Sequence, residues 1–138
     1  MEPFSLKKMP DGLEIRMKPS LILVDRAVEE VKTFCRQRDL SLSLFAIIIT
    51  MREGLTNTIR HGSVLCPDDP IRFSLLLDEN TLQMEFEDQG PGFDWQATIK
   101  KKRATNSEGG RGLEIIQKYC HTMVYSQRGN HLHITLHI

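Results

Sequence analysis

Ile71-Arg-Phe73-Ser-Leu75 and Leu82-Gln-Met84-Glu-Phe86, the second running straight into Asp88-Gln-Gly90-Pro-Gly92, decide how this chain folds. In both runs apolar and polar residues alternate with period two. Such alternation puts the apolar side chains on one covered face of a strand and leaves the other face wet. Asp78-Glu-Asn80-Thr separates the two runs as a turn signal. Leu13-Glu-Ile15-Arg-Met17 and Leu132-His-Ile134-Thr-Leu136-His-Ile138 carry the same alternation. Thr122-Met-Val-Tyr-Ser126 reads as a further strand, paired with the last as a hairpin through Gly129-Asn130.

Between the first strand and Ile71 the period changes to that of a helix. Val24, Val28, Val31 and Cys35 recur every three or four residues, which predicts a helix from about Leu21 to Arg38 with one buried face. A second helix is predicted from about Ser41 to His61, with Ser41 and Ser43 as N-cap candidates and Gly62 as its stop. A third is predicted from Arg111 to Tyr119, burying Leu113, Ile116 and Tyr119 or Cys120. The order is β-α-α-β-β, a long loop, then α-β-β. A mostly antiparallel sheet with helices on one face makes an α+β sandwich of two layers. The polar stretch from Gly90 to Gly110 is long for a loop inside a compact pattern, and such loops often act as lids.

The bulk numbers exclude several classes. At 138 residues the chain is one domain, residues 1–138. Lys+Arg and Asp+Glu balance at 18 each, so no global field recruits nucleic acid or anionic lipid. Cys35, Cys66 and Cys120 are odd in number and form no C-x-x-C pair, which suits a reducing cytosol better than a disulfide framework or zinc site. The first residues, Met-Glu-Pro-Phe-Ser-Leu-Lys-Lys, lack the pattern of a signal peptide. The longest apolar run, Leu44 to Ile49, is far short of the ~20 residues of a membrane span. The expectation is a cytoplasmic protein.

Three segments carry chemistry. In Glu53-Gly-Leu-Thr-Asn57-Thr-Ile-Arg-His61-Gly62 the polar residues Glu53, Asn57 and His61 step by four, about 400° of helix per step, and form one stripe. Ile47, Ile48, Met51, Leu55 and Ile59 occupy the opposite side. The bland alternative is a solvated helix face, although a mid-helix Asn is locally unfavourable. Asp88 ends the third alternating run and is followed at once by Gly90 and Gly92. Glycines let backbone approach a ligand closely, and an Asp there can accept from a purine amino group. The bland alternative is a β-turn around Pro91. Gly109-Gly110-Arg111-Gly112-Leu113 opens the third helix, where free N–H groups and the dipole can cradle phosphate and Arg111 can add a charged donor. The alternative is a flexible helix start. The three bland readings would have to coincide in this order in one short chain.

With those residues in view, the chain resembles the ATPase domain shared by histidine kinases, gyrase B subunits, mismatch-repair ATPases and heat-shock chaperones. Glu53…Asn57…His61 is similar to its N box, Asp88-x-Gly90-x-Gly92 to its first glycine box and Gly110-x-Gly112-Leu113 to its second. The resemblance runs from about Leu13 to Ile138. Within that group the chain looks like the bacterial anti-sigma-factor serine/threonine kinases, by its size, by Glu-x-x-x-Asn-x-x-x-His, by Phe93-Asp94 and by Gly-x-Gly-Leu-x-Ile-Ile. Thr58 departs from the Ala often found there.

The resemblance implies ATP and Mg²⁺ as ligands, with Asn57 holding the metal and Glu53 acting as catalytic base on a Ser or Thr hydroxyl. It implies Asp88 reading adenine N6, Gly90 and Gly92 admitting the base, Gly110, Arg111, Gly112 and Leu113 on the triphosphate, and His61 ordering the helix end or approaching the phosphates. It implies a sigma factor and an anti-sigma antagonist as protein partners. Family members are often homodimers, while the sequence exposes no obvious dimer patch, because Ile15 and Met17 fall on the covered face. Two other readings stand beside the kinase: a nucleotide-gated binding module without phosphotransfer, and the detached catalytic half of a histidine kinase. Lys100-Lys-Lys-Arg103 is a solvated loop or a contact to acidic partner or phosphate. His131, His133 and His137 read as the polar face of the last strand, since no third ligand type lies near an H-x-H pair.

Overall fold

The alternating runs become the sheet and the helical runs cover it. The computed structural model describes residues 3–62, 68–90, 116, 118–126 and 128–138. Its strands are β1 (Phe4–Met9), β2 (Gly12–Met17), β3 (Ile71–Asp78), β4 (Thr81–Glu87), β5 (Thr122–Tyr125) and β6 (His131–His137). They form one six-stranded sheet in the order β1-β2-β3-β4-β6-β5, and every neighbouring pair is antiparallel. The helices α1 (Leu21–Gln37) and α2 (Leu44–Asn57) lie between β2 and β3 in sequence. The α+β sandwich is as expected.

The registers carry the alternation across the sheet. Ile15 faces Phe73, Phe73 faces Phe86, and Phe86 faces Leu132. All four are 2% exposed or less, and the Phe73 and Phe86 rings pack 5.2 Å apart at 48°. This file sits under α1, which buries Val24, Ala27, Val28, Val31, Phe34 and Cys35. It also sits under α2, which buries Ile47, Thr50, Met51, Gly54, Leu55 and Asn57. The opposite face of the sheet is polar, as the alternation requires. There Arg72 reaches Glu85 at 3.7 Å and Glu87 at 3.4 Å. His133 meets Gln83 at 3.2 Å, and His131 lies 3.6 Å from Glu85. The histidine row is the outer strand face anticipated from the alternation.

Four details depart from the sequence reading. β1 was not anticipated: Phe4 and Leu6 alternate correctly, but Lys7-Lys8 breaks the pattern. The strand forms because Pro10-Asp11-Gly12 turns the chain back onto β2, and Arg38 at the end of α1 ties that turn through Asp11 at 3.0 Å and the Pro10 carbonyl. Ser41–Ser43 is a short 3₁₀ turn rather than the start of α2. The side chain of Ser43 caps nothing. Finally, α2 passes into a π turn over Thr58–Gly62. Of the third helix, residues 116, 118 and 119 are described and are helical, with Ile116 fully buried.

The close fit of α2 on the sheet occurs at Gly54. A Cβ placed there would lie 2.5 to 2.9 Å from the ring carbons of Phe86. The ring cannot swing away, because Phe86 is 1% exposed and packed against the tilted ring of Phe73. A mid-helix Gly→Ala change ordinarily gains up to ~1 kcal/mol of helix propensity, whereas overpacking a core costs about 1–3 kcal/mol. Gly54→Ala is therefore expected to destabilise the protein by roughly 1–2 kcal/mol in urea unfolding. Adding Phe86→Leu should remove most of the extra penalty, so that the double-mutant cycle shows favourable coupling.

Candidate functional site

Two of the polar residues singled out in the sequence are buried where a soluble helix and sheet would ordinarily place apolar ones. Asn57 is 4% exposed and Asp88 is 4% exposed. Asn57 is the last residue of α2, and Asp88 follows the last residue of β4. The Gly54–Phe86 contact links their elements. Asn57 is three residues past Gly54, about 4.5 Å of helix rise. Asp88 is two past Phe86, about 7 Å of strand.

The helix period explains why Asn57 is inside. Thr50, Gly54 and Asn57 recur at four and three residues, and all three are buried. They are the face that Gly54 lets settle on β4. Glu53, one turn before Asn57, is half-buried. The Asn57 Nδ2 atom has no hydrogen-bond partner among the described residues, and neither does Thr50 Oγ1. A buried amide atom left unpaired costs about 1–3 kcal/mol, and native structures rarely leave one without a reason. The amide oxygen and nitrogen exchange by a half-turn of the side chain, so either atom can face a ligand. The amide thus suits a hard cation or a polar ligand group. A cation is further favoured near a helix C-terminus, where the dipole ends negative. Thr58 directs its own hydroxyl to the Gly54 carbonyl at 2.8 Å, so it is satisfied within the helix and does not compete.

Stepping by four carries Glu53 to Asn57, since both lie in α2. The next step leaves the α-helix. His61 falls inside the π turn Thr58–Gly62, where the wider turn changes the angle per residue. Spacing alone therefore no longer puts His61 on the stripe. Single π turns recur at functional sites.

Asp88 combines the sharp reading with the bland one. Its Oδ1 accepts the Gly90 N–H at 2.7 Å, an Asx-type turn that uses the carboxylate locally. The second carboxylate oxygen has no described protein donor. Burial pushes the Asp88 carboxyl above its ordinary value. The Gly90 N–H pulls it down, Glu87 pushes it up and Arg128 pulls it down. The strand end is also held from the other side, because Asp88 N–H donates to the Asn130 carbonyl at 3.1 Å. Gly90 is buried beneath this arrangement. Sequence reasoning took Gly129-Asn130 only as a turn and did not single out Arg128. The signal available was Gly129, whose φ of 82° is the left-handed region that glycine adopts without strain.

Gly92, Gly110, Arg111, Gly112 and Leu113 lie outside the described residues, as do Trp95, the Lys100–Arg103 run and Cys66. Of His61, only the backbone is described. Two cysteines can be set aside as nucleophiles. Burial pushes the Cys35 thiol up to about 11, and the Cys120 thiol is raised for the same reason. Thiols so shifted are inert at neutral pH. Among the described residues no group of three His, Cys, Asp or Glu side chains could hold a metal ion. No described helix is long and apolar enough to cross a membrane.

Compared with known proteins, residues 17–136 match the family model described as the histidine kinase-like ATPase domain. That span runs from the last residue of β2 to Leu136 in β6 and includes β3, β4, β5 and all of α1 and α2. No curated protein matches the chain.

The buried carboxylate makes a stability prediction. The folded-state value of Asp88 is raised, so the native state binds its proton more readily than the unfolded chain does. Stability therefore falls as pH rises through the window from the ordinary 3.8 to the raised value, and stays reduced above it. Asp88→Asn removes the ionisable group. It should be more stable than wild type at neutral pH, and the gain should vanish at pH below that window. Urea unfolding at both pH values checks this.

Proposed function

The chain belongs to the histidine kinase-like ATPase domain family, and on that premise we propose that it is an ATP-dependent protein serine/threonine kinase that modifies an anti-sigma antagonist and sequesters a sigma factor. The observation that carries the nucleotide part is the buried amide of Asn57, unpartnered among the described residues and one helical turn after the half-buried carboxylate of Glu53. A solvated helix face would leave that amide in water. The named partners rest on the sequence resemblance alone.

The residues fit the ligands in kind. Mg²⁺ takes few protein ligands and fills its octahedron with phosphate oxygens and waters, so one amide oxygen from Asn57 is a sufficient anchor. When bound, the ion neutralises phosphate charge during transfer. Asp88 offers its free carboxylate oxygen to an exocyclic purine N–H, and Gly90 and Gly92 leave room for the ring. Gly110, Arg111, Gly112 and Leu113 are proposed to hold the triphosphate, by backbone N–H groups and the Arg111 guanidinium. His61 is proposed to order the end of the helix beside them.

Glu53 is proposed as the base. Its carboxylate accepts the proton of the acceptor hydroxyl as that oxygen forms a bond to the γ-phosphorus. The bond from the γ-phosphorus to the bridging oxygen breaks, and ADP leaves. Phosphoryl transfer depends mainly on positioning and charge stabilisation, so the protein's contribution is the fixed placement of these groups. A binding module without transfer would not need Glu53, which favours the kinase over the purely nucleotide-gated alternative.

Calorimetry with Mg-ATP, paired with a phosphate-transfer assay on co-purified partners, tests this. Wild type should bind ATP, and Asn57→Ala should lose the Mg²⁺-dependent part of the affinity. Glu53→Ala should bind normally, with transfer reduced at least ~100-fold. Absence of nucleotide binding in wild type overturns the reading. Binding without transfer identifies a nucleotide-gated module, and an acid-labile phosphohistidine on a partner identifies a histidine-kinase half.

A further inference from the structure

β1 closes one side of the sheet and leaves half of its own backbone unused. It stands first in the strand order and pairs only with β2. Lys18 N–H donates to the Pro3 carbonyl at 2.8 Å, which makes Pro3 and Lys18 a hydrogen-bonded pair of the antiparallel ladder. Such pairs alternate along a ladder, so Ser5, Lys7 and Met9 turn their main-chain groups to β2. Phe4, Leu6 and Lys8 turn theirs outward, and no described residue bonds them. Helix α1 runs beside this edge. Arg26 stands 4.1 Å over the Phe4 ring, and Arg38 holds Asp11 and the Pro10 carbonyl at the far end. Arg26 to Arg38 spans about 18 Å of helix, and Phe4 to Pro10 spans about 20 Å of strand, so the two elements run side by side. Arg26, Glu30, Thr33 and Gln37 recur every three or four residues as one stripe of α1. Between that stripe and the sheet lies a cavity of about 140 Å³, with Lys8 and Leu13 on the sheet side and Glu30, Thr33, Phe34 and Gln37 on the helix side.

We propose that this open edge, with the α1 stripe beside it, is a docking groove for an extended, acidic segment of a partner protein, which adds to β1 as a further strand. The charges select that occupant. Lys8 holds a covered-face position opposite the buried Leu13 and is nevertheless exposed. Lys7 and Arg26 are exposed as well. None of the three makes an ion pair among the described residues. Of the nearby acids, Asp11 is held by Arg38 at 3.0 Å, and Glu14, opposite Lys7, lies 3.6 Å from Arg16. Glu30 alone is left to face the cations. An acidic strand meets Lys7 on the outer face and Lys8 and Arg26 on the helix face, and it can place one aliphatic side chain in the cavity against Leu13 and Phe34. In this mode of recognition main-chain bonds supply affinity and alternate side chains supply selectivity. A second copy of the chain is a poor occupant. Lysines on an edge strand ordinarily keep like edges apart. Antiparallel self-pairing centred on Lys7 or Lys8 sets like charges opposite each other, which destabilises a ladder. Centring it on Leu6 still gathers the lysines of both copies at one seam. The inference does not rest on the nucleotide reading.

The test is amide hydrogen exchange by NMR on the full chain, with a blocked peptide of about eight residues that alternates Glu with Val or Leu, at millimolar concentration. The amides of Phe4, Leu6 and Lys8 should shift and exchange at least ~3-fold more slowly. Those of Ser5 and Lys7, already bonded to β2, should change little. A peptide with Lys in place of Glu, and an acidic peptide N-methylated at alternate residues, should leave the edge amides unmoved. Lys7→Glu together with Lys8→Glu should weaken the acidic peptide roughly tenfold and let the Lys peptide bind. Lys8→Pro deletes an outward N–H and costs the sheet no bond, so it should keep the wild-type circular dichroism spectrum and lose the peptide. Edge amides that ignore the acidic peptide overturn the proposal. So does an equal response to the Lys peptide, or a folded Lys8→Pro that binds as wild type does. Slow exchange at Phe4, Leu6 and Lys8 without peptide, together with a dimer in sedimentation, gives the edge to a second copy and overturns it as well.

Discussion

The approach of α2 to β4 at Gly54 is the contact on which the remaining arrangement depends. A helix can come this close to an aromatic side chain only where it carries no Cβ, and the Phe86 ring fills the space a methyl group would need. The cost is local: a glycine inside a helix forfeits up to ~1 kcal/mol relative to alanine. The return is that the whole Thr50, Gly54, Asn57 face seats on the sheet. Ile47, Met51 and Leu55 are then fully buried, and the end of the helix is carried toward the end of the strand that bears Asp88.

That seating creates the polar interior of the site. Asn57 is forced inside although nothing described bonds its amide nitrogen. Asp88 is forced inside although its charge is penalised there. Consistency between local preference and global fold is the general rule in natural sequences, and its violations cluster at functional sites. The two residues are such violations and they sit on elements locked together by one close contact. The outer face of the same sheet shows the contrast. Its charges, Arg72, Glu85, Glu87 and His131, find partners among themselves, and none is left buried without one.

Much of this was legible from residues alone, because the side-chain period reports which face of an element is covered. The alternation in Ile71–Leu75 and Leu82–Phe86 set out β3 and β4, and Val24, Val28, Val31 and Cys35 are the buried face of α1. The pattern failed where sterics or long-range contacts decide. β1 carries consecutive lysines, yet it pairs because its turn is tied to Arg38, 27 residues from Asp11 in sequence. The π turn after Asn57 leaves the helical period altogether, so a rule of four could not place His61.

The sequence by itself determined the two-layer class and the polarity of each sheet face. Those follow from periodicity and residue type, which are local properties. Tertiary structure alone decided that Asn57 is buried rather than solvated, that Asp88 bonds its own turn through Gly90, and that Arg128 reaches the Gly90 carbonyl from another hairpin. Burial and charge proximity are sums over neighbours brought together from distant parts of the chain, and 38 residues separate Gly90 from Arg128. No local pattern encodes such a sum. It exists only once β4, β6 and α2 have packed.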